Sequence, residues 1–255
     1  MTSDLLATTG EAVDAANRAA RAARVVVREL TSLDELEAMI ELFDEIWEPD
    51  TGNSSLRLDL ARAMSKAGNY ASGAYDSVTG EMLGACTGFF GPPAHAELHS
   101  HIAGVREAGL GRSVGFALKV HQRAWCLRQG VRVIAWTYDP LIRRNAYFNL
   151  VKLGALPAEY LRNFYGAMDD AINAGTETDR LLVRWDLLSG LAADASAGRP
   201  APGSFAAERS RGAAVVLFAD PDGRPVPGGP AADGAGTVLV GVPADGLGWS
   251  AASIS

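Results

Sequence analysis

Between residues 98 and 155 the chain sets a strand, a glycine-bearing turn, a long helix, a second strand and a shorter helix in immediate succession. This order restricts the fold more than any other feature. The spacings of these elements suit the holding of a phosphorylated carrier. The turn over 109–113 opens the long helix, and with Gly111 and Gly115 at its start several backbone N–H groups are left unpaired. The helix dipole adds partial positive charge there and Arg112 a full one. Such a place suits a pyrophosphate, although the same glycines also serve a plain strand-to-helix turn.

Upstream, 25–30 reads as a strand and 33–47 as a helix, with Ser32 and Glu35 forming a capping box and Leu36, Ile40, Phe43 and Trp47 on one side. A second helix is expected over 56–67. Strands over 69–75 and 82–90 should pair antiparallel across Asp76-Ser77-Val78-Thr79-Gly80, and 94–105 should follow as a third. After the long helix, which stops at Gly130, come a strand over 131–137, a helix over 143–153 and a strand over 180–187. The alanine-rich start, with Arg18, Arg21 and Arg24 broken up by Asp4, Glu11 and Asp14, reads as a frayed or loosely docked amphipathic helix. Beyond Leu188 Gly and Pro become frequent. Two apolar runs there, 213–218 and 237–242, suit a hairpin or added strands, with Pro225, Pro227 and Pro230 making the segment between them an extended loop. The organisation expected is an N-terminal helical arm (1–24), an α/β (α+β) domain (25–188) and a C-terminal extension (189–255).

Composition excludes some functions. A formal net charge of −7 over 255 residues argues against a duplex nucleic-acid partner, which needs clustered excess Lys and Arg. The apolar runs fall well short of the ~18 residues of a membrane span. Cys86 and Cys126 lack metal-ligand spacing and read as free thiols of a cytoplasmic protein.

The run HIAGVREAGLGRSVGFALK, with the order of elements around it, resembles the GNAT superfamily of acyl-CoA-dependent N-acyltransferases over 25–187. The resemblance implies a mixed, mainly antiparallel central sheet with splayed central strands and flanking helices. Its pyrophosphate motif, Arg/Gln-x-x-Gly-x-Gly/Ala, falls on Leu110, Gly111, Arg112, Ser113, Val114 and Gly115, with Leu110 in place of Arg or Gln and Ser113 in place of a glycine. The segments HSHIAGV, LK-x-x-QRAW, WTYDPL-x-x-RNAYFN-x-x-KLGA, YG and DRLLVRW resemble a narrower GNAT-like branch. By that resemblance the strands ending near Ile102, Ala103, Gly104 and Val105 and near Ala135, Trp136 and Thr137 part, and pantetheine runs between them along an exposed strand edge. Amides near Ala103, Gly104 and Val105 would polarise the thioester of acetyl-CoA or another acyl-CoA such as succinyl-CoA.

Acyl transfer to an amine needs a proton acceptor, donors for the oxyanion and often an acid for the thiolate. Period-two geometry puts His95, Glu97, His99 and His101 on one face of their strand, and Leu98, Ser100 and Ile102 on the other. Glu97 or His99 is the candidate base; hydrogen-bonded partners on a half-exposed face are the plain alternative. Alternate histidines ~7 Å apart suit a tight metal tetrahedron poorly, and no metal is expected. The tyrosine acid of the resembled family falls on Leu150, which leaves Tyr147, Tyr160 and Tyr165 as the free phenols. Asp139, Arg143 and Arg144 border the acceptor end and suit the amine and carboxylate of an amino acid, while Asp139 is equally suited to cap the next helix. Trp136 and Asn145 complete the substrate-binding candidates, and Asn149 can bond substrate or backbone.

The expected activity is transfer of an acetyl or succinyl group from coenzyme A to a small-molecule amine, amino acids included, by direct attack, with no nucleic acid or membrane partner. The C-terminal extension is open to three readings: completing a partner's sheet in a homodimer, forming part of a second half-domain, or staying mobile. The alternative, motivated by the missing tyrosine and the altered glycine motif, is a noncatalytic acyl-CoA-binding sensor or scaffold.

Overall fold

The computed structural model of the protein describes residues 3–48, 54–92, 96–166, 178–222, 224–229 and 236–241. In chain order come helix α1 (Ser3–Ala23), strand β1 (Val25–Glu29), helices α2 (Leu33–Trp47) and α3 (Leu58–Lys66), and strands β2 (Tyr70–Asp76), β3 (Met82–Phe90) and β4 (Glu97–Val105). After a short 3-10 turn, Glu107–Gly109, come α4 (Val114–Arg128), β5 (Val133–Tyr138), α5 (Arg143–Ala146) with a π-helical continuation Tyr147–Lys152, β6 (Leu156–Leu161) and β7 (Arg180–Asp186). The sheet runs β1-β2-β3-β4-β5-β7-β6. Every neighbouring pair is antiparallel except β4 with β5, which α4 connects as a parallel crossover.

Local chemistry sets these elements as the sequence implies. Ser32 and Glu35 close a reciprocal capping box on α2, and Asp76 Oδ1 accepts from the amides of Val78 and Thr79 to turn the β2–β3 hairpin. The core lies on both faces of the sheet. On one, α2 packs Leu36, Met39 and Phe43 against the strands. On the other, α1 and α4 cover Leu98, Ile134, Trp136 and Trp185.

The expectation of a loosely docked N-terminal helix is corrected here. Ala12, Ala15, Ala16 and Ala23 of α1 are buried in the main core, because a stripe of side chains no larger than methyl lets α1 lie close against α4. β6 has no counterpart in the sequence reading: every residue of it but Leu161 is exposed, so no apolar alternation marks it, and Pro157 sits on an edge strand where a missing N–H costs little. The runs near 214 and 238 are not a hairpin. They form β8 (Ala214–Ala219) and β10 (Val238–Val240), paired parallel, with β9 (Pro225–Pro227) on the other side of β8. The extension also carries α6 (Gly190–Ser196) and α7 (Phe205–Ser210).

Candidate functional site

Between β3 and β4 the register slips by one residue: Thr87 pairs with Ile102 but Gly88 with Ser100, so His101 is the extra residue of a β-bulge. A bulge turns every later side chain to the opposite face. Leu98 and Ser100 face α4, as expected, whereas Ile102, predicted beside them, packs with the α2 cluster. Gly104 also faces α2, where a Cβ would stand 2.7 Å from Ile46 Cδ1 and 2.9 Å from Trp47. Gly104 therefore lets the end of α2 lie on β4, whatever its amide does. Gly104→Ala is expected to destabilise by about 1–3 kcal/mol in urea titration, the usual cost of overpacking.

β4 and β5 pair only at Glu97 with Val133, Leu98 with Ile134 and His99 with Ala135. Beyond these the strands part, and the edge of β4 over Ser100–Val105 that faces β5 has no strand partner among the described residues. This wedge is the parting of strands that the GNAT resemblance implies, and the gap leads towards the start of α4. There the amides of Gly111, Ser113, Val114, Gly115 and Phe116 have no acceptor among the described residues, the first helical bond being Ala117 N–H to Ser113 O. Gly111 and Ser113 both adopt left-handed backbone (φ +75° and +63°), and the Ser113 side chain makes no capping bond to the helix. Alternating left-handed residues running into a helix start form a concave set of N–H groups of the kind that holds phosphate oxygens. A serine held in that conformation stores strain of about 1 kcal/mol or more.

Arg112 is placed differently from its sequence reading as a free cation at this turn. Its guanidinium is ion-paired with Asp76 at 2.8 Å and donates to the carbonyls of Ala23 and Arg24, so it locks the turn to α1 and the β2–β3 hairpin. Leu110 is exposed, Val114 is buried, and Gly115 lies between Val105 and Phe148. Ala103 is exposed on the unpaired edge, and Val105 packs partly into the core beside it.

On the α2-side face the structure brings His99, His101 and Phe89 together: the Phe89 ring lies 5.0 Å from His99 and 5.7 Å from His101, and the imidazoles are 6.3 Å apart. Burial, then His101, then the cation of Lys119 hold His99 down to about 4, so its imidazole is neutral at neutral pH. Glu97, at the joined end of the strands, is ion-paired with Arg184 of β7 at 2.7 Å, although this oxygen lacks hydrogen-bond alignment. His95 lies outside the described residues. Across the wedge, Thr137 of β5 meets the Tyr165 hydroxyl at 3.0 Å, whereas Tyr160 is tied to Asp179 on the outer edge. Tyr147 is 52% exposed and Leu150 packs against the core. Tyr165 is thus the phenol at the parted strand, which spacing alone could not single out because it arrives from the β6–β7 connection.

The substrate-binding candidates lie on β5, in the turn after it and on α5. Trp136 is buried, donating Nε1 to Asn149 Oδ1 at 3.1 Å and packing edge-on to Trp185. Asp139 accepts from the Leu141 amide at 2.9 Å and shapes the turn into α5. Arg143 is exposed and Asn145 half-buried on α5. No three His, Cys, Asp or Glu side chains are grouped as metal ligands among the described residues, and no helix among them is long and apolar enough to cross a membrane.

A sheet of this order, parted at its one parallel pair and opening on a helix start with free amides, defines the fold class. The chain has the GNAT fold. It matches an N-acetyltransferase of Staphylococcus aureus Mu50 over 64% of this chain and 98% of that one, with a TM-score of 0.51 at 16% identity. It matches the ribosomal-protein-S5-alanine acetyltransferase of Vibrio fischeri over 65% and 94% (TM-score 0.52, 14% identity). The yncA protein of Salmonella typhimurium, solved with its cofactor acetyl-CoA, matches over 66% and 98% (TM-score 0.51, 12% identity). No family model and no curated protein matches the chain in sequence.

Proposed function

We propose that the protein transfers an acetyl or succinyl group from coenzyme A to a small-molecule amine, amino acids included, by direct attack on the thioester. The observation that carries this reading is the wedge: strand pairing ends at His99 and Ala135, and the gap leads to five free amides at the start of α4. In this reading those amides take the pyrophosphate and the unpaired edge of β4 around Ala103–Val105 takes the pantetheine and polarises the thioester carbonyl. The amine approaches from the face carrying His99 and His101. His99, neutral and beside the gap, accepts the ammonium proton; Glu97, held by Arg184, orients the joined end of the strands. The C–N bond forms, the C–S bond breaks, and Tyr165 is the phenol positioned to protonate the departing thiolate.

Thermal shift with acetyl-CoA and succinyl-CoA, followed by thiol release with a panel of amines, tests the reading. A donor at 100 times its Kd should stabilise by about 2.7 kcal/mol. Stabilisation by a donor without thiol release from any amine would move the protein to the alternative, a noncatalytic acyl-CoA sensor, which the leucine at the usual tyrosine position favours. No stabilisation by any acyl-CoA overturns both.

A further inference from the structure

The pairing of β4 with β5 stops at His99 and Ala135, and the next residue on each strand, Ser100 and Trp136, is held by the same side chain of α4. Lys119 is buried, 4% exposed. Its Nζ donates to Ser100 Oγ at 2.9 Å and to Gln122 Oε1 at 2.8 Å, and lies 3.8 Å from the centre of the Trp136 ring. Gln122 in turn donates to Cys86 Sγ at 3.5 Å, and Trp136 to Asn149.

None of these partners is a carboxylate, and no ion pair to Lys119 is present among the described residues. A buried ammonium with only neutral partners is costly compared with an apolar side chain of the same length. Burial accordingly draws Lys119 down to about 8, and its charge is felt through the sheet at His99. Packing α4 on the sheet does not need this residue, since a methionine would fill the same space. What methionine cannot do is hold a hydroxyl on one strand and an aromatic face on the other at the point where they separate.

We infer that Lys119 is a positioning residue for the acyl donor: it fixes Ser100 and Trp136 at the vertex of the wedge and so sets how deep the thioester end of an acyl-CoA enters. This rests on the reading of the wedge as an acyl-CoA site. The nucleotide end is outside its reach, because Lys119 follows the first residue of α4 by five positions, a rise of about 8 Å.

Calorimetric titration of wild type, Lys119→Met and Ser100→Ala with acetyl-CoA and with adenosine 3′,5′-bisphosphate separates the two ends. Acetyl-CoA affinity should fall about tenfold or more in Lys119→Met, the scale of a lost hydrogen bond to a charged group, and in the same direction in Ser100→Ala. Bisphosphate affinity should stay within about twofold in both, which a general loss of structure would not allow. Equal losses for the two probes, or no loss for either, overturn the assignment. Ser100→Ala removes only a hydroxyl and keeps the test decisive if Lys119→Met does not fold. Wild-type protein that binds neither probe overturns the acyl-CoA reading itself, a failure distinct from wild type binding both while the variants match it.

Discussion

Gly115→Asp is expected to leave the protein at least as stable as wild type while lowering its affinity for acetyl-CoA by about 100-fold or more. The two effects have opposite signs for one reason. Gly115 is the second residue of α4, a helix with no acidic side chain in its first turn. A carboxylate there meets the positive end of the helix dipole and adds about 0.3–1 kcal/mol, and leaving glycine adds a few tenths more. Space is available, since a Cβ at Gly115 would meet Val105 at 3.6 Å and Phe148 at 4.0 Å, ordinary contacts. The same carboxylate occupies the concavity assigned to the pyrophosphate. Two unit charges about 4 Å apart near a protein surface repel by about 4 kcal/mol, and Arg112, bound to Asp76, is not free to offset that. Gly115→Asn supplies the same bulk without the charge and should lose far less. Differential scanning calorimetry and titration with acetyl-CoA check both halves, and an aspartate variant that binds as wild type does would remove the anion role from this turn.

The elements that flank the wedge were legible because they are local, whereas the parting of the strands itself was implied only by the resemblance to the GNAT superfamily. The β4–α4–β5 order and the free amides of the glycine turn follow from spacing and from the unpaired groups that any helix start carries. The capping box on α2 and the β2–β3 hairpin were legible for the same reason. What the sequence concealed is non-local. The bulge at His101 leaves no mark in composition, yet it moves Ile102 and Gly104 to the α2 face and gives that glycine a packing role. Arg112 looked like a cation for the ligand because its partners are Asp76 and the carbonyls of Ala23 and Arg24 at the end of the first helix and just past it, remote in sequence. The π-helical turn after α5 was read as a plain helix, since one wider turn does not alter the apolar pattern. Lys119 drew no notice on an otherwise core-facing helix; its burial depends on the polar pocket that Ser100, Gln122 and Trp136 together create.

His99→Gln should lower kcat by about 100-fold or more, in the range that a positioned general base contributes, with little change in the Kd of acetyl-CoA. The split follows from geometry: His99 stands on the α2-side face with Phe89 and His101, away from the amides assigned to the nucleotide. A second measurement concerns stability. In the folded protein burial, His101 and Lys119 hold His99 at about 4 against an ordinary 6.5. The unfolded chain therefore binds the proton more readily, and the stability that this neutral imidazole supports is complete above pH 6.5 and is lost as the pH falls towards 4. Glutamine does not titrate, so the stability of His99→Gln relative to wild type should rise between pH 7 and pH 5 in urea titrations. His121, also held at about 4, keeps part of the acid dependence in both proteins. If kcat stays within about twofold of wild type while the acid dependence changes as described, His99 is held neutral by its half-buried setting but is not the base. In that case Glu97 is the next candidate acceptor, and removal of its Arg184 partner, 53% exposed at its side chain, should raise activity by freeing that carboxylate.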